Sequence, residues 1–182
     1  MANRIYTRKG DEGTTLIGNG QRLPKYDDRI EALGALEELT SYLGILRDLT
    51  SWPNISEKLA IIQNNLLSCA AILSENYSGR KPMVGQDDIE LIEKEIDKID
   101  SVLNGYQGVF IPGGHPLVAY CDVARSVCRR AERQVALVSD KYNTDKIIVA
   151  YLNRLSDYLY MLSLFFIKAL NVKPVEWKPK YS

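Results

Sequence analysis

The chain has 182 residues, 46% of them hydrophobic, which is enough to close one sizeable core and short for two. Its 23 basic and 23 acidic residues balance, which excludes a broad electrostatic pull on nucleic acid or an anionic membrane and leaves any anion site local. With Cys69, Cys121 and Cys128 inside apolar patterns, no apolar stretch of a secretory signal at the start and no apolar run of the roughly 20 residues a membrane span needs, the expectation is a cytoplasmic protein with core thiols.

Residues 1–28 carry Gly10, Gly13, Gly18, Gly20, Pro24 and the Asp27-Asp28 pair, and read as an irregular arm, too polar for the core, that ends at a helix start. Ala32, Leu36, Leu39, Leu43 and Leu46 predict a first helix over 29–47 with Asp28 as its N-cap. Ser51-Trp52-Pro53-Asn54 predicts a break, and Leu59, Ile62, Leu66, Cys69 and Leu73 a second helix from Ser56 to about Glu75. Beyond a loop with Gly79, Pro82 and Gly85, Asp87 or Asp88 is placed to cap a third, wetter helix striped by Ile89, Ile92, Ile96 and Ile99. Residues 105–116 read as an irregular loop with a short strand as the alternative, 117–138 as a fourth helix and 146–170 as a long fifth one. The tail, with two prolines, Trp177 and Tyr181, is expected to pack loosely. No alternation marks a sheet and no repeat is visible, so the expected fold is all-α, an up-down five-helix bundle in one domain over 1–182: arm 1–28, bundle 29–170, tail 171–182.

On the fourth helix, 100° per residue puts Arg125, Arg129 and Arg133 within about 80° of arc, with Glu132 beside them. Three guanidiniums on one ridge suit a polyanion, since each offers a fork of donors; a solvated ridge braced by Glu132 is the alternative. Asn153 and Asp157 lie one turn apart on the fifth helix, flanked by Arg154 and Ser156 in an apolar run, and serve either as hydrogen bonds between helices or as ligand contacts. The arm string Thr7-Arg8-Lys9-Gly10-Asp11-Glu12-Gly13-Thr14-Thr15 combines hydroxyls, cations and glycines that let backbone N–H groups approach an anion, without the Gly-Lys-Ser/Thr of a P-loop. His115 is the one histidine and reads as a hydrogen-bonded loop residue, which disfavours histidine-rich metal sites; no protein metal ligand set is expected.

Three strings coincide: Tyr-Thr-Arg-Lys-Gly-Asp-Glu-Gly-Thr-Thr at 6–15, Ala-Arg-Ser-Val-Cys-Arg-Arg-Ala-Glu-Arg at 124–133 and Tyr-Leu-Asn-Arg-Leu-Ser-Asp-Tyr-Leu at 151–159. Together they resemble the PduO-type ATP:cob(I)alamin adenosyltransferases along nearly the whole chain. The resemblance implies a homotrimer with ATP between subunits, and a reaction in which cob(I)alamin attacks the 5′ carbon of ATP with magnesium present. It implies an ATP-binding arm of Thr7, Arg8, Gly10, Asp11, Gly13, Thr14, Thr15 and Lys25. It further implies that Arg129, Glu132 and Arg133 meet the triphosphate and its magnesium, that Asn153 contacts the nucleotide, and that Arg125 pairs across subunits with Glu37, where many relatives carry aspartate. Asp157 is implied in a polar network, structural or at the active site. Phe110, before Ile-Pro-Gly-Gly, resembles the family's aromatic wedge under the corrin, which empties the lower axial position and eases reduction of cobalt(II) to cobalt(I). A cobalamin-dependent mutase is the partner implied downstream. A non-catalytic nucleotide or cobalamin escort and a helical scaffold are the rival readings.

Overall fold

The computed structural model describes residues 6–75, 83–105 and 108–181; the expected loop through Gly79 and Pro82 lies outside them. Five helices dominate: α1 (Asp28–Leu49), α2 (Pro53–Ser74), α3 (Gln86–Leu103), α4 (Pro116–Tyr142) and α5 (Ile147–Ala169). Each stripe read from the sequence is the buried face of its helix, with Leu39, Leu43, Leu59, Leu66, Val135 and Leu155 all at 0% exposure. Burying a leucine of that kind contributes about 1.5–3 kcal/mol. Helix α4 packs between α1 and α5, α2 lies against α1, and α3 lies against α5. The most apolar helix, α5, is covered on two sides, by α4 and α3. The cysteines are free and buried, and burial pushes the Cys69 thiol up to about 12.

Helix starts fall where side chains satisfy orphan N–H groups, which corrects several boundaries. Asp27, not Asp28, caps α1: its carboxylate accepts the Arg29 N–H at 3.0 Å and also pairs with the Arg29 guanidinium. The break before α2 is shorter than expected because Pro53 opens the helix at its first position, where a missing N–H costs nothing. Helix α3 starts from Gly85 rather than Asp87 or Asp88, and Asp88 accepts the Gly85 N–H at 2.9 Å and the Asn65 amide of α2 at 3.1 Å. His115 caps α4, its Nδ1 accepting the Leu117 N–H at 3.2 Å.

Four short strands correct the purely helical expectation. In the arm, β1 (Thr14–Leu16) and β2 (Arg22–Pro24) form an antiparallel hairpin with Thr15 opposite Leu23. The arm is thus neither wholly irregular nor wholly polar, since Ile17 and Leu23 are buried. The strand alternative for the 105–116 loop holds as β3 (Phe110–Ile111), which pairs antiparallel with β4 (Val175–Glu176) of the tail. The tail is therefore tied down rather than loosely packed, and the Trp177 N–H donates to the Val109 carbonyl at 3.0 Å. Among the described residues no helix is long and apolar enough to cross a membrane.

Candidate active site

Helix α4 buries Ala124, Val127, Ala131 and Val135, which turns the residues between them outward in two consecutive stretches. The first stretch forms one wall of a cleft of about 330 Å³, where Asp122 and Arg125 face Phe110 from the β3 loop and Tyr160 and Ser163 from α5. Arg125 lies over the Tyr160 ring, its guanidinium carbon 5.5 Å from the centroid. The Tyr160 hydroxyl donates to the Gly108 carbonyl at 3.2 Å. Asp122 accepts from the Ser163 hydroxyl at 3.2 Å, and burial holds its carboxyl above the ordinary range against the opposing pull of that bond and of Arg125. Phe110 folds back over Gly108 so closely that a Cβ there would lie 2.5 Å from its Cζ.

The second stretch begins one turn on, about 6 Å further along the axis. Arg129 and Arg133 are exposed, and among the described residues neither enters a hydrogen bond or ion pair. Between them Glu132 accepts the Asn153 amide of α5 at 2.9 Å, so the structure brings together the helix-four group and Asn153. The two free guanidiniums beside one oriented carboxylate suit a polyanion that carries a cation.

In the arm, a turn from Arg8 to Gly13 returns along β2: the Gly13 N–H donates to the Gly10 carbonyl at 3.2 Å and the Lys25 N–H to the Gly13 carbonyl at 2.9 Å. Gly13 has φ +78°, and Lys25 extends over Gly10, whose Cβ position would lie 3.5 Å from the Lys25 Nζ. Arg22 donates to the Thr14 hydroxyl at 2.7 Å and to the Lys9 carbonyl at 2.9 Å. Thr7, Arg8 and Asp11 are exposed and Thr15 is half-buried. No hydrogen bond or ion pair among the described residues joins these arm groups to α4 or α5.

Asp157 pairs at 2.7 Å with Arg154, which also reaches Glu93 of α3. Asn153 and Asp157 are exposed rather than enclosed in the apolar run. Glu37 is exposed on α1 away from the cleft, while the neighbouring Glu38 takes Arg130 of α4. Sequence reasoning missed Asp122, Tyr160, Ser163, Gly108 and Arg22. Helical spacing carried a signal for two of them, because Asp122 lies three residues before Arg125 and Tyr160 two turns after Asn153.

The chain is similar to known proteins along most of its length. The family described as "Cobalamin adenosyltransferase" matches residues 5–166. The corrinoid adenosyltransferase of Mycobacterium tuberculosis is 36% identical over 168 residues, 88% of this chain and 86% of that protein. The corrinoid adenosyltransferase PduO of Salmonella typhimurium is 33% identical over 162 residues, 87% of this chain; the match spans 48% of that protein, about half its length. Among solved structures, a phenylalanine-to-alanine variant of a PduO-type ATP:corrinoid adenosyltransferase from Lactobacillus reuteri, complexed with cobalamin and ATP, superposes with a TM-score of 0.88 at 28% identity, covering 97% of this chain and 100% of that one.

Proposed function

The chain belongs to the cobalamin adenosyltransferase family, and on that premise we propose that it transfers the 5′-deoxyadenosyl group of ATP to the cobalt of reduced cobalamin. The order of groups along α4 carries the proposal. The cleft with Phe110 and Arg125 adjoins, one turn on, the face with Arg129, Glu132 and Arg133, so a corrin in the first sets its cobalt beside a nucleotide on the second. The cobalt(I) lone pair attacks C5′, a Co–C bond forms, the C5′–O bond breaks, and triphosphate leaves with those electrons. No side-chain nucleophile is needed. The protein aligns the reactants and stabilises the departing charge.

Arg129 and Arg133 take the triphosphate, and Asn153 both orients Glu132 and contacts the nucleotide. Magnesium fits this donor set, since it takes one or two protein carboxylates and fills its remaining positions with phosphate oxygens and water; it would neutralise phosphate charge beside Glu132. Thr7, Arg8, Gly10, Asp11, Gly13, Thr14, Thr15 and Lys25 close over the phosphates. The arm serves a neighbouring subunit in a homotrimer, where the exposed Glu37 of one subunit pairs with Arg125 of the next. Phe110 occupies the lower face of the corrin and displaces its axial ligand. Residues 1–182 act as one cytoplasmic domain that supplies a cobalamin-dependent mutase.

The test mixes the protein with ATP, magnesium and chemically reduced cobalamin and follows adenosylcobalamin and triphosphate. Both should form, and Arg129→Ala should lower the rate about 100-fold or more with the helical circular dichroism unchanged. Near-normal activity of Arg129→Ala removes its assigned role, and binding without product turns the reading to an escort.

A further inference from the structure

One side chain of the cleft bridges Arg125 and the backbone that leads into Phe110, and the transfer of the adenosyl group itself calls for no such side chain. Tyr160 stands on α5 between Arg125 and the loop that carries Phe110. Its ring supports the Arg125 guanidinium at 5.5 Å, and its hydroxyl donates to the Gly108 carbonyl at 3.2 Å, two residues before Phe110. On the other side the loop is fixed by the pairing of Phe110 with Glu176 and by the Trp177–Val109 hydrogen bond. The tail therefore restrains β3 along its edge, while Tyr160 ties Gly108, just before it, to α5.

We infer that Tyr160 is a positioning residue of the adenosyl-transfer reaction, whose hydroxyl holds the Gly108 peptide and through it the Phe110 ring while its face holds Arg125. The geometry gives the mechanism. Phe110 lies back on Gly108 with ring atoms 2.5 to 3.1 Å from the Cβ position of that residue, so the Gly108 peptide is the floor on which the ring rests. A floor held by a bond to a rigid helix sets the height of the ring in the cleft. Without it the Gly108 peptide is released from α5 and the ring samples positions that no longer exclude an axial ligand. The role rests on the adenosyl-transfer reading above, and it is distinct from the wedge itself, because Tyr160 acts through Gly108.

Tyr160→Phe keeps the ring, the packing and the Arg125 contact, and removes only the hydroxyl. Turnover that starts from cob(II)alamin with a reductant should fall roughly five-fold, the loss of one neutral hydrogen bond expressed as a rate. Turnover from preformed cob(I)alamin and the KM for ATP should stay at parental values. Electron paramagnetic resonance of the ATP-bound cob(II)alamin complex should show a larger share of nitrogen-coordinated cobalt, a signature that a merely structural tyrosine would not move. Tyr160→Leu removes the ring as well and should also raise the KM for cobalamin, by loosening Arg125. Parental rates on both routes, or equal losses on both, with folding intact by circular dichroism, overturn the positioning role. A parental protein that makes no adenosylcobalamin from preformed cob(I)alamin instead refutes the adenosyl-transfer reading and this role with it.

Discussion

Adding one methyl group at Gly108 should move the Phe110 ring without unfolding the protein. Gly108 does not use the left-handed backbone region, so alanine meets no backbone strain there, and the obstacle is the ring tip alone, with Cζ at 2.5 Å and the two Cε atoms at 2.9 and 3.1 Å from the new Cβ. Carbon atoms in contact settle at about 3.5–4.0 Å, so the ring must swing by about 1 Å. Cζ is the far end of a half-buried side chain at the mouth of a cleft, which makes the swing possible at a cost below about 1.5 kcal/mol, about 3–6 °C in Tm for a chain of this size. A 1 Å misplacement at a reacting centre costs up to about 100-fold. Gly108→Ala should therefore slow turnover from cob(II)alamin with a reductant by about 10- to 100-fold, approaching Phe110→Ala, while turnover from preformed cob(I)alamin stays near parental. Initial rates from both cobalamin forms, with a thermal melt of each variant, decide the matter. A folded Gly108→Ala with a parental rate from cob(II)alamin, or with equal losses on both routes, would refute the claim that the ring's position controls reduction.

The proposed inter-subunit pair predicts that Arg125→Glu and Glu37→Arg each shift the protein towards smaller species in size-exclusion chromatography at micromolar concentration, and that the double exchange recovers the larger one; no recovery counts against the pair. Asp27 links α1 to the arm, and its loss in Asp27→Ala should cost about 1–2 kcal/mol at neutral pH. Its bond to the Arg29 side chain holds the folded carboxyl below the ordinary range. The stabilisation is therefore complete above the unfolded value of about 4 and is lost as pH falls through the lower folded value. Melts of parent and variant should differ at pH 7 and converge near the acid limit, and a gap independent of pH would show that the charge contributes nothing.

Much of this protein is local and therefore legible in the sequence. Helical spacing marked every buried stripe, because a helix repeats every 3.6 residues whatever it packs against. The three strings marked the group around Arg129 and the glycine arm, whose residue types suit close approach to phosphate. Boundaries were less legible. Asp27 and Asp28 are equally good caps, and only the fold of the arm, which brings Arg29 onto Asp27 and Gln21, selects one. Strands of two or three residues carry no period to detect, so only β3 was foreseen, as the alternative for the 105–116 loop, and β1, β2 and β4 needed coordinates.

Tertiary structure alone decided which polar groups meet. Asn153 and Asp157 share a helix face, yet one reaches across to Glu132 of α4 while the other pairs with Arg154 of its own helix. The tail looked free because its partner, Phe110–Ile111, lies more than sixty residues earlier in the chain. The role of Tyr160 has the same origin. Its composition and spacing are those of a core residue, and only the crossing of α4, α5 and the β3 loop places its hydroxyl under Gly108 and its ring under Arg125. Periodicity fixes which way a side chain faces, and packing fixes what it finds there.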